Sequence, residues 1–380
     1  MRNFLLLPVF ASAAILQETC TNSTKKQSDS EPYSFNFLIL LNKLPNSFII
    51  SHDGLTQTYP TITGPSNSAK EVAFAVIKNE LYIFGGREDN GAGTNKIVKL
   101  VDCSFEELSV RSNYYYAEGS AALTIQNGEK ALICFGLANH SNKCEEFDTI
   151  QATITHSSQF GHRYGHLGYY NGKPTTVSGD GSEVIAFHKV ESLSENGWLS
   201  LADHPPMSVC HTLTGLESGA MILTGGYYYT DDFISRDSRD IWLLKDNEWT
   251  IIGKTKERCS YCSSIRNGQF VYIVSGSDKD FSGGYPIERI EINDDVFVSS
   301  EVIGHHSTYS LNPVLYATDS DFCVLEPTTD PVTIKTTSAT ILESTTDEPI
   351  TMTIDTTTSS SSKTRSKFLL STIAFIFSFF

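Results

Sequence analysis

Positive charge is what this chain has least of. Lys and Arg number 28 against 44 Asp and Glu, a net charge of −16, whereas a protein that grips nucleic acid or anionic lipid needs the opposite balance. Motifs that announce chemistry are missing as well: no Gly-x-Ser-x-Gly elbow, no His-Glu-x-x-His helix and no glycine-rich phosphate cradle occurs. The acidic doublets Asp231-Asp232 and Asp294-Asp295 lack the regular carboxylate spacing of a calcium loop. No catalytic residue, cofactor or metal site is therefore expected. A long apolar run is absent too, since the terminal stretch Phe368 to Phe380 falls short of the ~20 residues that span a bilayer as a helix.

What the chain does contain is a phrase said repeatedly. From Ile77 to Gly86, IKNELYIFGG, a strand meets a tight turn at Lys78-Asn79-Glu80, and a second strand, Leu81 to Phe84, ends in two glycines. The same order of turn, apolar strand and glycine returns at Ile125 to Gly136, Tyr170 to Gly179, Leu216 to Gly226 and Arg266 to Gly276. A degenerate copy without glycine covers Thr318 to Leu325. Each full copy continues with a polar loop, a third apolar strand and a fourth strand bearing an aromatic, as in Lys96 to Val101 then Phe105, Glu183 to Phe187 then Trp198, Asp240 to Leu244 then Trp249, and Ile287 to Ile292 then Phe297. Strands alone at a period near 50 residues indicate propeller blades.

On these residues the chain resembles the kelch-repeat β-propellers, whose blades carry a glycine doublet closing the second strand and a later Trp. The doublet stands at Gly85-Gly86 and Gly225-Gly226, single glycines at Gly136, Gly179 and Gly276, and the Trp at Trp198 and Trp249. The resemblance covers roughly Glu71 to Leu325 and implies an all-β, six-bladed propeller. Five blades are complete, and a fragment from Ser310 to Leu325 supplies two strands of the sixth. The apolar segments Phe35 to Leu41 and Ser47 to Ser51 are expected to complete it, residues 35–41 pairing with 321–325, because an open edge invites aggregation. A seventh blade built from Phe35 to Pro60 is the competing arrangement.

The ends of the chain speak of export. Met1-Arg2-Asn3, an apolar run Phe4 to Phe10 and Ala11-Ser12-Ala13 have the order of a secretory signal peptide, taken as residues 1–19 with the cut left open. A propeller over 33–326 follows, then a Ser/Thr-rich stalk over 327–362 that lacks the apolar residues to fold and reads as disordered. Residues 363–380 read as a GPI-attachment signal, with Ser359 a candidate among the small residues Ser359 to Ser362, or as a short membrane anchor. Asn22 and Asn139 head glycosylation sequons.

Eight cysteines in an exported chain predict disulfides. Cys134 and Cys144, on neighbouring strands of one blade, are the expected pair, and Cys259 or Cys262 is expected to join Cys210. In Gly161-His-Arg-Tyr-Gly-His166, read as a strand, the two histidines stand about 13 Å apart and do not share a metal. His305-His306 points its side chains to opposite faces. The remaining reading is a binding module for an extracellular protein or glycan, in adhesion or matrix contact, held to the membrane by its C-terminal anchor. A secreted kelch-type copper oxidase is the enzyme alternative. The candidate binding segment is the long loop Tyr227 to Arg239, with Tyr227, Tyr228, Tyr229, Asp231, Asp232, Phe233 and Arg236, and Tyr114 to Tyr116 forms a second aromatic cluster. Packing between blades is the other role open to both.

Overall fold

A computed structural model describes residues 35–324 apart from 65–69, 138–139, 181–183, 231–234 and 277–282. The expectations for the signal peptide, stalk and anchor, and for Asn22, Asn139, Asp231, Asp232, Phe233 and Ser359, lie outside the described residues. The chain divides into two units, Met1–Pro327 and Thr328–Phe380.

The first unit is built of antiparallel strands, with no α-helix among the described residues. Three strands open the chain: β1 (Asn36–Leu40), β2 (Phe48–Ser51) and β3 (Gln57–Thr58). Blade one follows as β4 (Ala73–Ile77), β5 (Glu80–Phe84), β6 (Thr94–Val101) and β7 (Ser104–Tyr116). Blade two is β8 (Ala121–Ile125), β9 (Lys130–Cys134), β10 (Cys144–Phe147) and β11 (Ala152–Ile154). Blade three is β12 (Leu167–Tyr170), β13 (Lys173–Val177), β14 (Val190–Ser194) and β15 (Gly197–Ser200). Blade four, β16 (Met207–Gly215), β17 (Met221–Tyr229), β19 (Asp240–Lys245) and β20 (Glu248–Lys254), carries an extra strand, β18 (Ser235–Asp237), on β17. Blade five is β21 (Ser263–Asn267), β22 (Phe270–Val274), β23 (Tyr285–Asn293) and β24 (Val296–His306), and β25 (Val314–Thr318) ends the series.

The sixth blade has the order β25-β1-β2-β3, so the two ends of the chain share one sheet. Asn36 to Leu40 pair with Thr318 to Val314, which corrects the expected partner: the C-terminal segment supplies one strand, at 314–318 rather than 321–325, and the N-terminal segment supplies three. The polar run Thr318-Asp319-Ser320-Asp321 ends the strand instead of starting a new hairpin. Blade three also differs from expectation, because 184–188 forms a 3-10 turn and its third strand begins at Val190.

Strand periodicity sets the packing. Alternate residues of a strand point to opposite faces, and every blade is sandwiched between two others. In β5, Leu81 and Ile83 join the core against blade six while Tyr82 and Phe84 join the core against blade two. In β22, Val271 and Ile273 face blade four, and Tyr272 and Val274 face blade six. Each buried Leu, Ile or Phe contributes about 1.5–3 kcal/mol. The second strands therefore read as unbroken apolar runs because neither of their faces meets water.

Polar groups reinforce the same interfaces at a repeated spacing. Glu145, Glu191 and Glu288, all buried on third strands, accept backbone N–H bonds from Asn113 (2.8 Å), Gln159 (2.9 Å) and Lys256 (2.7 Å), each 32 residues earlier. Glu191 also takes the Phe160 N–H and the His162 ring. Burial alone would raise its carboxyl, yet the His162 bond and the backbone donors outweigh burial and hold it below its ordinary value. The indoles of Trp198 and Trp249 work likewise, donating to the carbonyls of His156 and Ala202 on the preceding crossovers.

Among the described residues three disulfides are present, a chemistry suited to an oxidising compartment. Cys134 bonds Cys144 within blade two. Cys259 bonds Cys262, so neither joins Cys210, which stays a buried thiol; the close C-x-x-C pair satisfies itself first. The third bond, Cys103–Cys323, bridges 220 residues and fastens the end of blade six to the β6–β7 turn of blade one.

Two stability measurements check this account. Closing so long a loop constrains the unfolded chain strongly, so Cys103→Ser is expected to cost about 3–5 kcal/mol and lower the melting temperature by roughly 5–10 °C; an unchanged melting curve contradicts it. Glu191→Ala strands a buried histidine and two backbone donors, with an expected loss of about 3–5 kcal/mol by chemical denaturation. Because the folded carboxyl titrates below its unfolded value, its stabilisation is present above the unfolded pKa and is lost as pH falls through the folded one.

Candidate functional site

The antiparallel order of strands sorts the connections. The turns between first and second strands, and between third and fourth, all emerge on one face, the turn face. The second-to-third loops and the crossovers between blades emerge on the other, the loop face. Glycine at the end of the second strand makes room there. At Gly85 (φ 70°) an added Cβ would lie 2.6 Å from the Tyr116 carbonyl oxygen, and at Gly225 (φ 72°) 2.5 Å from that of Cys259. In each case the glycine lets a crossover pass over the strand end.

Just before or within each innermost strand, on the loop face, stands one residue with a left-handed backbone: Glu71, Gly119, Tyr164, Cys210, Tyr261 and Asn312, with φ between 51° and 81°. Five of the six backbones, Gly119 to Asn312, are joined in series around the axis. The Tyr164 N–H donates to the Gly119 carbonyl (2.9 Å), Cys210 to Tyr164 (2.8 Å), Tyr261 to Cys210 (2.8 Å) and Asn312 to Tyr261 (3.0 Å). A left-handed residue other than glycine costs about 1–2 kcal/mol, and a hydrogen bond returns about 0.5–1.5 kcal/mol. Stability alone therefore gives no reason to place Tyr and Cys there in preference to Gly.

The side chains on this collar, with those of neighbouring loops, form an arc. Arg87, in the loop after Gly85-Gly86, reaches Glu71 and Glu118, and its Nη1 donates to the Gly91 carbonyl at 2.6 Å. Arg163 meets Glu118 from the other side at 3.2 Å and donates to the Tyr164 hydroxyl at 2.7 Å. Its guanidinium lies over the Tyr164 ring, 4.7 Å from the centroid. The Tyr164 ring meets Tyr261 edge-on at 5.9 Å, Tyr261 leans on Tyr227 at 6.5 Å, and Tyr227 touches Tyr229 at 5.6 Å. Phe187 closes the arc against Tyr229.

Asp180, bridged to Arg163 through the backbone, adds a third carboxyl beside the two guanidiniums; burial pushes its pKa up and the Arg163 charge pulls against that. The ion pairs of this network are partly exposed and worth at most about 1 kcal/mol each, too little to be a stability device. One donor is left over: Arg163 Nε is buried without a partner among the described residues. Beneath the rings, burial pushes the Cys210 thiol up to about 12, although the Tyr261 and Tyr227 hydroxyls bond to it. Burial first, then the thiol, also raises the phenols of Tyr227 and Tyr261 well above their ordinary range.

The segment expected to be a loop, Tyr227 to Arg239, is instead an extension of the sheet: β17 runs on to Tyr229, and β18 folds back on it, with Arg236 opposite Tyr228. Tyr227 and Tyr229 thus share one face and join the arc, while Tyr228 points away and Arg236 is exposed. Sequence reasoning did not find Arg87, Glu118, Arg163, Tyr164 or Tyr261. The signal available was positional, since all stand next to the starts of first strands or the ends of second ones. Segment 161–166 is no strand but a kinked crossover. His162 serves Glu191, and His166 sits near His211, ring centroids 6.4 Å apart. His306 is buried and His305 exposed, on opposite faces of β24. Tyr114 packs on His140 while Tyr115 is exposed, outside the arc. Among the described residues no three His, Cys, Asp or Glu side chains converge to hold a metal ion.

No protein-family model matches the chain, and a search of curated proteins finds no match. Solved structures do match. One, titled "Structure of YjhT", aligns with a TM-score of 0.56 at 15% identity, over 71% of this chain and 98% of that one. The protein is a six-bladed β-propeller. In all, 267 solved chains match; at 15% identity the likeness is to an architecture, and the kelch family stays a resemblance.

The Cys210 thiol offers a check on the packing of the arc. Buried and held protonated, it is expected to resist iodoacetamide at pH 8 in the folded protein and to be alkylated only on denaturation, as read by mass spectrometry. Rapid native labelling contradicts the geometry.

Proposed function

We propose that this protein is an exported, membrane-anchored propeller that binds a glycan on its loop face. The observation that carries the reading is the convergence of Arg87, Glu118, Arg163, Tyr164, Tyr227 and Tyr261, from the first five blades, around the axis on the face that bears the loops. A sugar ring offers apolar C–H faces and a rim of hydroxyls. Tyrosine rings suit the former, and planar guanidinium and carboxylate groups that already share hydrogen bonds suit the latter.

Export is supported by the three disulfides, the leader-like N-terminus and the sequons. Anchoring rests on the small residues and apolar tail of the C-terminus. Among the described residues no helix is long and apolar enough to cross a membrane.

The test is a glycan array probed with the purified propeller and with Tyr227→Ser/Tyr229→Ser. Losing two stacking rings at about 0.5–1.5 kcal/mol each is expected to weaken saccharide binding by roughly 5- to 150-fold. Because the Tyr227 hydroxyl bonds the Cys210 thiol and its ring packs on Tyr261, circular dichroism is to show that the double variant keeps the parent's fold at the assay temperature. Binding equal to the parent's places the site elsewhere, and an array that detects no saccharide for either protein ends the glycan reading.

A further inference from the structure

The arc surrounds the axis, and the axis itself is closed just beneath it. His166 stands at the entry to β12 in blade three and Asn312 at the entry to β25 in blade six, two blades that face each other across a ring of six. Their side chains nevertheless bond, so they meet at the axis. Phe74, on β4 and one level deeper, packs against the cores on both sides of blade six. Its ring must therefore pass in front of β25, where it stops the axis from behind. The loop-face mouth is thus a basin with a floor. His166 keeps accessible surface there, being only half-buried, while burial draws its pKa down to about 4 against the opposing effect of the Asn312 bond. At neutral pH it is an uncharged imidazole, with one ring nitrogen serving Asn312 and the other left for a guest. Polar atoms behind it lack partners. Asn312 is buried with Oδ1 unpaired among the described residues. His211, fully buried with its ring centroid 6.4 Å from that of His166, has both nitrogens unpaired; the Val177 carbonyl approaches it without completing a bond. Such atoms destabilise a fold, and here they gather beneath one opening.

From this we infer that the basin takes the terminal ring of a glycan end-on, and that His166, with Asn312 and His211 behind it, is the hydrogen-bonding floor that reads the hydroxyls of that ring. The inference rests on the glycan reading of the loop face and adds to it the mode of entry and the residues that select. A neutral imidazole both donates and accepts, as a sugar hydroxyl does, whereas an anionic group finds no cation on this floor. The direction of entry follows from the closed axis. An internal stretch of a saccharide chain, lying across the mouth, meets the rim residues of several blades and is held above His166. A chain end descends along the axis and meets rim and floor together, its flat faces against Tyr164, Tyr227 and Tyr261 and its hydroxyls on His166.

The experiment uses the purified full chain and its His166→Ala and His166→Gln variants. Each is titrated, with binding followed by NMR, against the methyl pyranosides of glucose, galactose, mannose and N-acetylglucosamine and against oligosaccharides that contain the same rings. The parent is expected to bind at least one single-ring pyranoside. His166→Ala is expected to weaken that binding roughly 5- to 150-fold, because a hydroxyl on the floor is left without its partner. His166→Gln keeps a donor and an acceptor and is expected to recover part of the loss. Should the variants not fold, labelling of His166 by diethyl pyrocarbonate in the parent, read by mass spectrometry, takes their place, and saturating pyranoside is expected to protect the ring. Oligosaccharides bound with no single-ring pyranoside bound, variants that bind as the parent does, or a ring left unprotected overturns this inference and leaves the glycan reading standing. A parent that binds no saccharide of either length ends both.

Discussion

The ring depends on a hydrogen-bonded collar at the loop-face ends of its innermost strands. Each blade could stand beside its neighbours through apolar contact alone, since a separate core fills each interface among the described residues. Apolar contact is non-directional, however, and fixes neither the height of one blade against the next nor the radius of the ring. The backbone chain from Gly119 through Tyr164, Cys210 and Tyr261 to Asn312 ties five blades together at one height, and the left-handed Tyr164, Cys210 and Tyr261 each point an N–H at the previous blade and a carbonyl at the next. That conformation is costly for Tyr and Cys. Its persistence with those residues, where Gly would serve more cheaply, is the strongest sign that the collar supports a function.

How much of this could be read from the sequence follows from which interactions are local. The hairpin turn at Lys78-Asn79 was legible because both residues take positive φ there, a demand met within four residues. The blade count was legible because each second strand is buried on two sides and ends where a crossover needs a glycine. The closure of blade six was legible as a need but not as a register. A strand of five residues between polar turns, Val314–Thr318, carries little more signal than the apolar Phe322-Cys323-Val324 beside it, and only the partner at the far end of the chain decides between them.

The arc was harder to see for the same reason. Tyr227 and Tyr229 stood out as part of an aromatic run, whereas Arg87, Glu118, Arg163 and Tyr261 are scattered over the chain and meet only because each neighbours the collar. Cys103–Cys323 shows the limit most plainly: its partners lie 220 residues apart, and no local pattern joins them. The third-strand glutamates sit between these extremes. Their common separation of 32 residues from the amides they bind is a property of the repeat, visible once the blades are aligned.

Collar, seam and arc divide the work between the faces. The turn face holds the chain ends and their disulfide, and the loop face holds rings and paired charges whose own energies are small. The collar joins the two by making the position of every loop-face side chain a consequence of ring closure. Amide hydrogen exchange tests that directly. The account predicts that the amides of Tyr164, Cys210, Tyr261 and Asn312, although outside or at the edge of regular strands, exchange as slowly as the central strands and only through opening of the whole ring. Fast, independent exchange at these four amides would contradict it.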